Sequence, residues 1–203
     1  MAGKHFNGWV ITGWAALAIG VMIVAILATF GAGERGAHLV IRSTAQTSFV
    51  LFTTAFVASP LLKLWPGKAT AWLRANRRYI GVSFAVSHLC HGLAILGLAI
   101  LTSGASLEEA GTTAVVGGSI IYAVILAMAA TSFDRTARWI GPRAWHRLHT
   151  TGIYLLWLIF ALAYVSRALN SILYLPFALI VIGAMALRVT AKARKLQHKA
   201  ASA

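Results

Sequence analysis

The feature that most constrains the fold of this chain is a series of six almost uncharged apolar runs. A helix that crosses a bilayer needs about 20 apolar residues. Each run is close to that length, and the runs lie at about residues 9–30, 44–64, 79–102, 110–131, 148–166 and 169–187. The sequence therefore predicts an all-α integral membrane protein, a six-helix bundle that forms a single domain over residues 1–203.

The overall composition agrees with this prediction. Hydrophobic residues make up 59% of the chain, charged residues make up 11%, and the mean hydropathy is +0.78. Soluble domains carry about 25% charged residues. The first run lacks the small-residue cleavage pattern of a signal peptide and is longer than a signal-peptide core. We therefore expect it to be a helix of the mature protein.

The distribution of basic residues predicts the orientation. Of the 18 Lys and Arg residues, fifteen fall on the side that holds both chain ends and the second and fourth loops. These are Lys4, Lys63, Lys68, Arg74, Arg77, Arg78, Arg135, Arg138, Arg143, Arg147, Arg188, Lys192, Arg194, Lys195 and Lys199. The other side has only Arg35, Arg42 and Arg167. The positive-inside rule then places both termini in the cytoplasm, as expected for a multi-pass membrane protein.

The same distribution bears on partners. A net charge of +14 is explained by membrane anchors that contact anionic lipids, so nucleic acid is not expected. The sequence has no phosphate-cradling glycine loop, and we expect any electron donor or acceptor domain to be a separate molecule.

The only cysteine, Cys90, excludes an intramolecular disulfide framework and a cysteine-ligated metal cluster.

Two histidine pairs at helical spacing carry the most specific chemistry. His88 and His91 lie in the third run, and His146 and His149 lie at the start of the fifth. Ionisable side chains are rare in the bilayer interior, where no water can hydrogen-bond an imidazole. Because two different helices each supply a histidine, haem iron is the leading candidate. For each histidine taken singly, a satisfied polar contact is the alternative.

Small residues share the helical face of His88. Residues three or four apart lie on one face of a helix. With His91 at its edge, this face comprises Gly81, Ala85, His88, Gly92, Ile95 and Ala99. Small side chains leave room for a flat macrocycle, but they also let helix backbones approach closely in membranes. Close packing explains the glycines and alanines, and it does not explain the histidines.

The histidines of the fifth run differ in expected depth. His146 lies beside Arg147 near the predicted cytoplasmic boundary, so we expect an interfacial, hydrogen-bonded side chain. His149 lies deeper and is the candidate ligand. The apolar face that follows it comprises Ile153, Leu156, Phe160 and Ala163. The remaining histidines fall in predicted tails or loops and are expected to be solvated, namely His5, His38 and His198.

These residues resemble the ferric reductase-like transmembrane domain family, and within it the haem-binding membrane subunits of periplasmic methionine sulfoxide reductase systems. The resemblance covers about Thr44 to Leu187, and its most specific part is the Trp-x-x-Leu-His element. The matching residues are Arg77-Arg78-Tyr79-Ile80-Gly81 leading to His91, then Thr131-Ser132, Ile140-Gly141, and Trp145-x-x-Leu148-His149 with Tyr154 after it.

The resemblance implies a six-helix b-type cytochrome that passes electrons across the membrane, with a core like that of NADPH oxidases. It marks His91 and His149 as haem ligands. One position departs from the pattern: this branch has a further histidine thirteen residues after the one matching His149, where the chain has Leu162. The departure predicts one haem per chain, and His88 is an additional imidazole that the branch does not require.

An estimate of depth leaves the ligand on the third helix open. Helices three and five both run outward and rise about 1.5 Å per residue. Counted from the outer helix ends, the depth of His149 differs by roughly 6 Å from that of His88 and by about 10 Å from that of His91. Depth therefore favours His88, and the motif register favours His91. A helix tilt of about 20° absorbs much of the difference.

Arginines crowd the predicted cytoplasmic mouth. Arg77, Arg78 and Arg147 are candidates for binding haem propionates or an anionic donor such as a flavin phosphate, and Arg74 and Arg143 lie nearby in the sequence. The alternative is that these residues are only inside-facing membrane anchors.

The sequence thus predicts a membrane haem b protein with His149 and either His91 or His88 as axial ligands. Bis-imidazole iron has no open site and is suited to moving one electron. The expected donor is a separate flavin reductase, with FMN, or a quinol at the cytoplasmic side, and the expected acceptor is a periplasmic redox partner. One alternative is a non-redox transporter subunit or assembly factor, in which the histidines make polar helix contacts. The other is a haem-handling protein with exchangeable haem.

Overall fold

The computed structural model describes residues 7–201, and the side chains of residues 7–197. In this part of the chain every regular element is helical. The helices are α1 (Trp9–Phe30), α2 (Glu34–Leu64), α3 (Lys68–Leu101), α4 (Ala105–Ala110), α5 (Thr112–Ala130), α6 (Asp134–Asn170) and, after a 3-10 turn (Ile172–Tyr174), α7 (Leu175–Ala201). His5 and the side chain of His198 lie outside the described part.

Six helices are long and apolar enough to cross a membrane: α1, α2, α3, α5, α6 and α7. The prediction of an all-α, multi-pass membrane protein with six spanning helices is therefore confirmed. Because successive spans alternate in direction, the start of α1 and the end of α7 lie at one end of the bundle. We name this the basic end, since it carries most of the basic residues, and we name the opposite end the far end.

The spanning helices are longer than the apolar runs predicted. Helix α2 begins at Glu34 rather than near residue 44, and α3 begins at Lys68 rather than near residue 79. Hydropathy marks only the segment that lies in hydrocarbon, whereas a helix continues into the headgroup region, where charged side chains reach water. As a result His38, expected in a loop, lies inside α2.

Helix α6 contains a sharp break that the apolar run does not indicate. It begins at Asp134, well before the expected start near residue 148, and Gly141 interrupts it with φ 78° and ψ 161°. This conformation favours glycine, and Pro142 follows it at the start of the straight segment, where its missing N–H costs nothing. The break separates a short surface segment from the part of α6 that crosses the bundle.

The core is aromatic and lies between α2, α3, α5, α6 and α7. Its buried members are Phe49, Phe52, Phe56, Phe84, Ile121, Ile125, Leu156, Phe160, Tyr164, Val181 and Ala184. Helix α1 is peripheral: it packs on α2 and α3, and only Ile19 on it is buried. The predicted histidines lie on α3 and α6 and face α2 and α5. These four helices therefore form the middle of the bundle.

A line of buried polar groups joins α2 to α3. The Ser48 hydroxyl donates to Ser87 Oγ at 3.0 Å, and the Ser87 hydroxyl donates to the Thr44 carbonyl at 3.1 Å. The side chains of Thr44, Ser48 and Ser87 are fully buried. Hydroxyl pairs of this kind hold helices together in lipid, where no water competes for the bonds. We call Thr44, Ser48, Ser87 and His91 the polar seam.

Reporter fusions test the orientation of the bundle. Because of the distribution of basic residues, a fusion after Ala203 should be active only with a reporter that works in the cytoplasm. A fusion inserted at residues 103–111, in the loop at the far end, should be active only with a reporter that works outside. The reverse pattern would invert the orientation, and activity of both fusions on one side would contradict the six-span topology.

Candidate functional site

Two cavities lie along the middle of the bundle. The basic-end cavity has a volume of about 470 Å³, and its walls include Arg74, Arg77, Arg78, Arg188, Trp145 and His149. The far-end cavity has a volume of about 680 Å³, and its walls include His38, Arg42, His88, His91, Tyr122 and Arg167. The predicted histidine ligands are thus divided between two cavities.

Contacts to α5 measure how far apart the two histidine groups lie. Thr131, at the end of α5, hydrogen-bonds His149, and the Tyr122 hydroxyl donates to the His88 carbonyl. Nine residues separate Thr131 from Tyr122, which is roughly 14 Å along a helix that rises about 1.5 Å per residue. Both axial nitrogens of a bis-imidazole iron would bond the same atom at about 2 Å, the length of metal–imidazole bonds. The structure therefore does not bring His149 to one site with His88 or His91.

The separation exceeds the sequence-based estimate because the helices end at other residues than expected: α6 continues to Asn170 and α3 ends at Leu101. Counted from these ends, His149 lies 21 residues deep and His88 lies 13 residues deep, a difference of about 12 Å. His149 lies only eight residues after Gly141, near the basic end of the spanning part. The His88 ring lies instead beside Phe160, with the ring centroids 6.5 Å apart. Phe160 follows His149 by eleven residues, or about 16 Å of helix. The count along α5 and the count along α6 thus give similar separations between His149 and His88, roughly 14 Å and about 16 Å.

His91 is held in one tautomer by α2. Its Nδ1 lies 3.0 Å from the Ile41 carbonyl and 3.3 Å from Thr44 Oγ1. A carbonyl only accepts, and the Thr44 hydroxyl donates its hydrogen to the Val40 carbonyl at 2.6 Å. Both partners therefore require a hydrogen on Nδ1, which leaves the lone pair on Nε2. Since His91 lines the far-end cavity, its basic nitrogen is the one free to bind a ligand there.

His88 is packed on aromatic rings but lacks a polar partner on one nitrogen. Its ring stacks on Tyr122 with centroids 5.0 Å apart, and it lies 5.2 Å from the ring of His91. Its Nδ1 is buried without a hydrogen-bond partner. Buried polar atoms are nearly always paired. This nitrogen therefore needs a hydrogen-bond partner from a ligand or a water molecule.

His149 is also oriented by a threonine. The Thr131 hydroxyl donates to the Ala127 carbonyl at 2.7 Å and lies 3.0 Å from His149 Nε2. The hydroxyl hydrogen is thus already used, so His149 Nε2–H is the donor and Nδ1 carries the lone pair. Trp145 stacks on the imidazole with centroids 4.3 Å apart. His146 is exposed, in accord with its expected interfacial position, although it lies at the wall of the same cavity.

Four arginines face the basic-end cavity with a single acidic residue, Asp134. Arg78 pairs with Asp134 at 2.6 Å. The half-buried Arg77 donates to Ser59 Oγ at 3.3 Å. Arg188 donates to the Phe56 carbonyl and to the Tyr154 hydroxyl, and its guanidinium lies 4.5 Å from the centre of the Phe56 ring. The cavity therefore combines aromatic walls with uncompensated positive charge, which suits an anionic group.

The arginines only partly match those predicted. Arg77 and Arg78 line the basic-end cavity, whereas Arg147 is exposed and is not among its lining residues. Arg188 was counted only as a membrane anchor. A signal for it exists in the sequence: it continues, at spacings of three and four, the face of α7 that buries Val181, Ala184 and Ala191. An arginine in register with buried residues is expected to face the bundle interior.

Leu162, at the position where the resembling branch has a histidine, is 60% exposed and lines neither cavity. The inward face of this part of α6 is formed instead by Phe160, Ala163 and Tyr164. A histidine at position 162 would not face either cavity in this packing.

Within the described residues, no three histidine, cysteine or acidic side chains gather as they would around a bare metal ion. Haem iron needs only one or two axial imidazoles, so the oriented imidazole of His91 is the relevant feature. Comparison with protein-family models, with curated proteins and with solved structures gives no match for this chain.

The packing of Tyr122 against α3 can be tested at Gly92. A Cβ added there would lie 2.8 Å from the Tyr122 ring, whose hydroxyl is held by the His88 carbonyl. Gly92→Ala should therefore destabilise the protein by about 1–3 kcal/mol, as overpacking does. Gly97→Ala is the matched control on the same helix, since open space surrounds it. Thermal unfolding in detergent measures both, and equal melting of the two variants would contradict the packing.

Proposed function

We propose that this protein is a b-type haem protein of the bacterial inner membrane that carries electrons from the cytoplasmic side to an acceptor outside, with His91 as the haem ligand in the far-end cavity. The observation that carries the proposal is the orientation of His91. Its Nδ1–H is held by the Ile41 carbonyl and Thr44, and its Nε2 is left free. Metal-ligating histidines almost always donate their other N–H in this way.

The far-end cavity fits a large flat ligand. Its volume of about 680 Å³ lies in the range of small-molecule and cofactor sites. Small residues form much of its wall and leave space between the helices: Ala45, Ala114, Gly117, Gly118 and Ala163. Phe160 and Tyr164, which are buried in the core, form its inner wall. Haem b, when bound, would supply a one-electron redox centre, which these side chains would hold.

The structure favours His91 over His88 as the ligand. The Nδ1 of His88 has no partner to fix the tautomer or the ring direction. His88 and His91 lie three residues apart on the same helix, so they approach a flat ligand from the same side. His88 is therefore placed to pack beside the ligand of His91 rather than to bind the opposite face of the iron.

The basic-end cavity is the proposed site of electron donation. Its aromatic walls and arginines suit a flavin with a phosphate, such as FMN on a separate reductase, or the ring of a quinol. Arg77, Arg78 and Arg188 would hold the anionic group, and the Trp145–His149 stack would face the ring system. The ligand role of His149 stays a prediction: coordination through Nδ1 would keep the Thr131 bond, whereas coordination through Nε2 would require that nitrogen to leave Thr131.

Haem content of point variants tests the ligand assignment. His91→Ala should lose most of the bound haem, because it removes the one imidazole of the far-end cavity whose Nδ1–H is held by the protein. His88→Ala should retain the haem, and His146→Ala is the control at an exposed position. The measurement is pyridine haemochrome absorbance per unit of purified protein. Loss of haem in His88→Ala alone would transfer the ligand role to His88, and retention in the double His88, His91 variant would refute ligation from α3.

The number of haems is a separate prediction. Since His88 and His91 share the larger, far-end cavity and His91 is the proposed ligand there, the purified protein should hold one haem per chain. His149→Ala should keep this haem and slow its reduction from the cytoplasmic side. A ratio near two that falls to one in His149→Ala would place a second haem in the basic-end cavity.

One observation favours a non-redox alternative. The polar seam would stabilise the pairing of α2 and α3 without any cofactor, since each of its groups already has a partner. In a transporter subunit or assembly factor, His91 would be part of that seam and nothing more. Purified protein without Soret and α bands in either redox state would favour this alternative, and exchangeable high-spin haem would favour a haem-handling protein.

A further inference from the structure

Two of the three basic residues at the far end meet at the mouth of one cavity. Arg42 on α2 and Arg167 on α6 both line the far-end cavity. The third, Arg35, does not line it, and its guanidinium lies over the Phe30 ring at 5.3 Å. Basic residues are disfavoured on the outer side of a membrane protein, and charged groups near spanning segments usually have a function. Their convergence therefore calls for an explanation.

The positive charge at this mouth is not compensated. Arg42 donates to the Tyr174 hydroxyl at 3.4 Å, and Arg167 donates to the Ala163 carbonyl at 3.1 Å. No acidic residue lines the cavity, and among the residues that the structure describes, the only ion pair is Arg78 with Asp134. Both guanidinium groups are thus free to bind an anion.

We propose that the far mouth, formed by Arg42 and Arg167, admits an electron acceptor that bears net negative charge. This rests on the proposed function, because the electron must come from haem in the same cavity. In each event one electron leaves the reduced protein and the acceptor gains it. No covalent bond changes and no proton is transferred.

The charge arrangement predicts how an acceptor is selected. A cleft with charge of one sign raises the association rate of oppositely charged small molecules by about 10- to 1,000-fold, and salt removes the effect. His91 lies in the same cavity as the two arginines, so an anion at the mouth approaches the side of the bundle where the electron is available. A cationic acceptor of similar size is repelled there.

Reoxidation kinetics with two acceptors of opposite charge test the selection. Dithionite-reduced protein is mixed with hexacyanoferrate(III), an anion, or with hexaammineruthenium(III), a cation. Arg42→Gln and Arg167→Gln should each slow reoxidation by the anion, and the double variant on the order of tenfold, without slowing reoxidation by the cation. Arg35→Gln is the matched control and should behave as the unmodified protein. Arg42→Lys and Arg167→Lys keep the charge and should restore the rate.

A binding measurement avoids dependence on electron transfer. Hexacyanocobaltate(III) has the charge and shape of the ferric probe but is redox-inert. Calorimetry should detect its binding to the purified full-length protein at low salt. The double variant Arg42→Gln, Arg167→Gln should lose this binding, and Arg35→Gln should keep it.

The outcomes separate this inference from the proposed function. Haem present with anion kinetics equal in Arg35→Gln and in the double variant would overturn the inference alone. Haem content that falls in the double variant would overturn it as well, because the arginines would then bind haem propionates. Protein without haem that still binds hexacyanocobaltate(III) through Arg42 and Arg167 would overturn the proposed function and leave only an anion site.

Discussion

The absence of water in the bilayer is the constraint on which the rest of this structure depends. Every polar group in the spanning helices must find its partner within the protein. The polar seam meets this requirement for the hydroxyls between α2 and α3, which bond one another and the α2 backbone, whereas Nδ1 of His88 has no partner. The same bonds that join the two helices also fix the His91 ring. Helix pairing and the orientation of the His91 ring therefore have one physical cause.

The bundle contains two separate cavities, one at each end. Aromatic and aliphatic side chains, Phe84, Leu156 and Phe160 among them, fill the core. The basic-end cavity carries more arginines than acids, and the far-end cavity carries the imidazoles of α3 with two arginines at its mouth. A path for electrons from one side of the membrane to the other would use the two cavities in sequence. The sign of the charge at both openings favours anionic reaction partners.

Much of this architecture follows from the sequence, and the rest does not for physical reasons. Uncharged runs predict the six spans because hydrocarbon excludes charge, but they miss the helical ends at Glu34 and Lys68, which lie among headgroups. The depth count failed for His149 because it was taken from the ends of the apolar runs, whereas α6 continues to Asn170 and α3 ends at Leu101. The tautomer of His91 depends on the Ile41 carbonyl, which lies fifty residues away in the sequence. A local sequence pattern cannot predict such a contact.

The orientation of His91 can be measured directly by ¹⁵N NMR of histidine-labelled protein in detergent, with His91→Ala used to assign its signals. We predict that His91 is neutral with the hydrogen on Nδ1 in haem-free protein, and that its Nε2 signal alone is displaced when haem is added. A hydrogen on Nε2, or an Nε2 signal unchanged by haem, would contradict the role of the α2–α3 seam in presenting this imidazole to a cofactor.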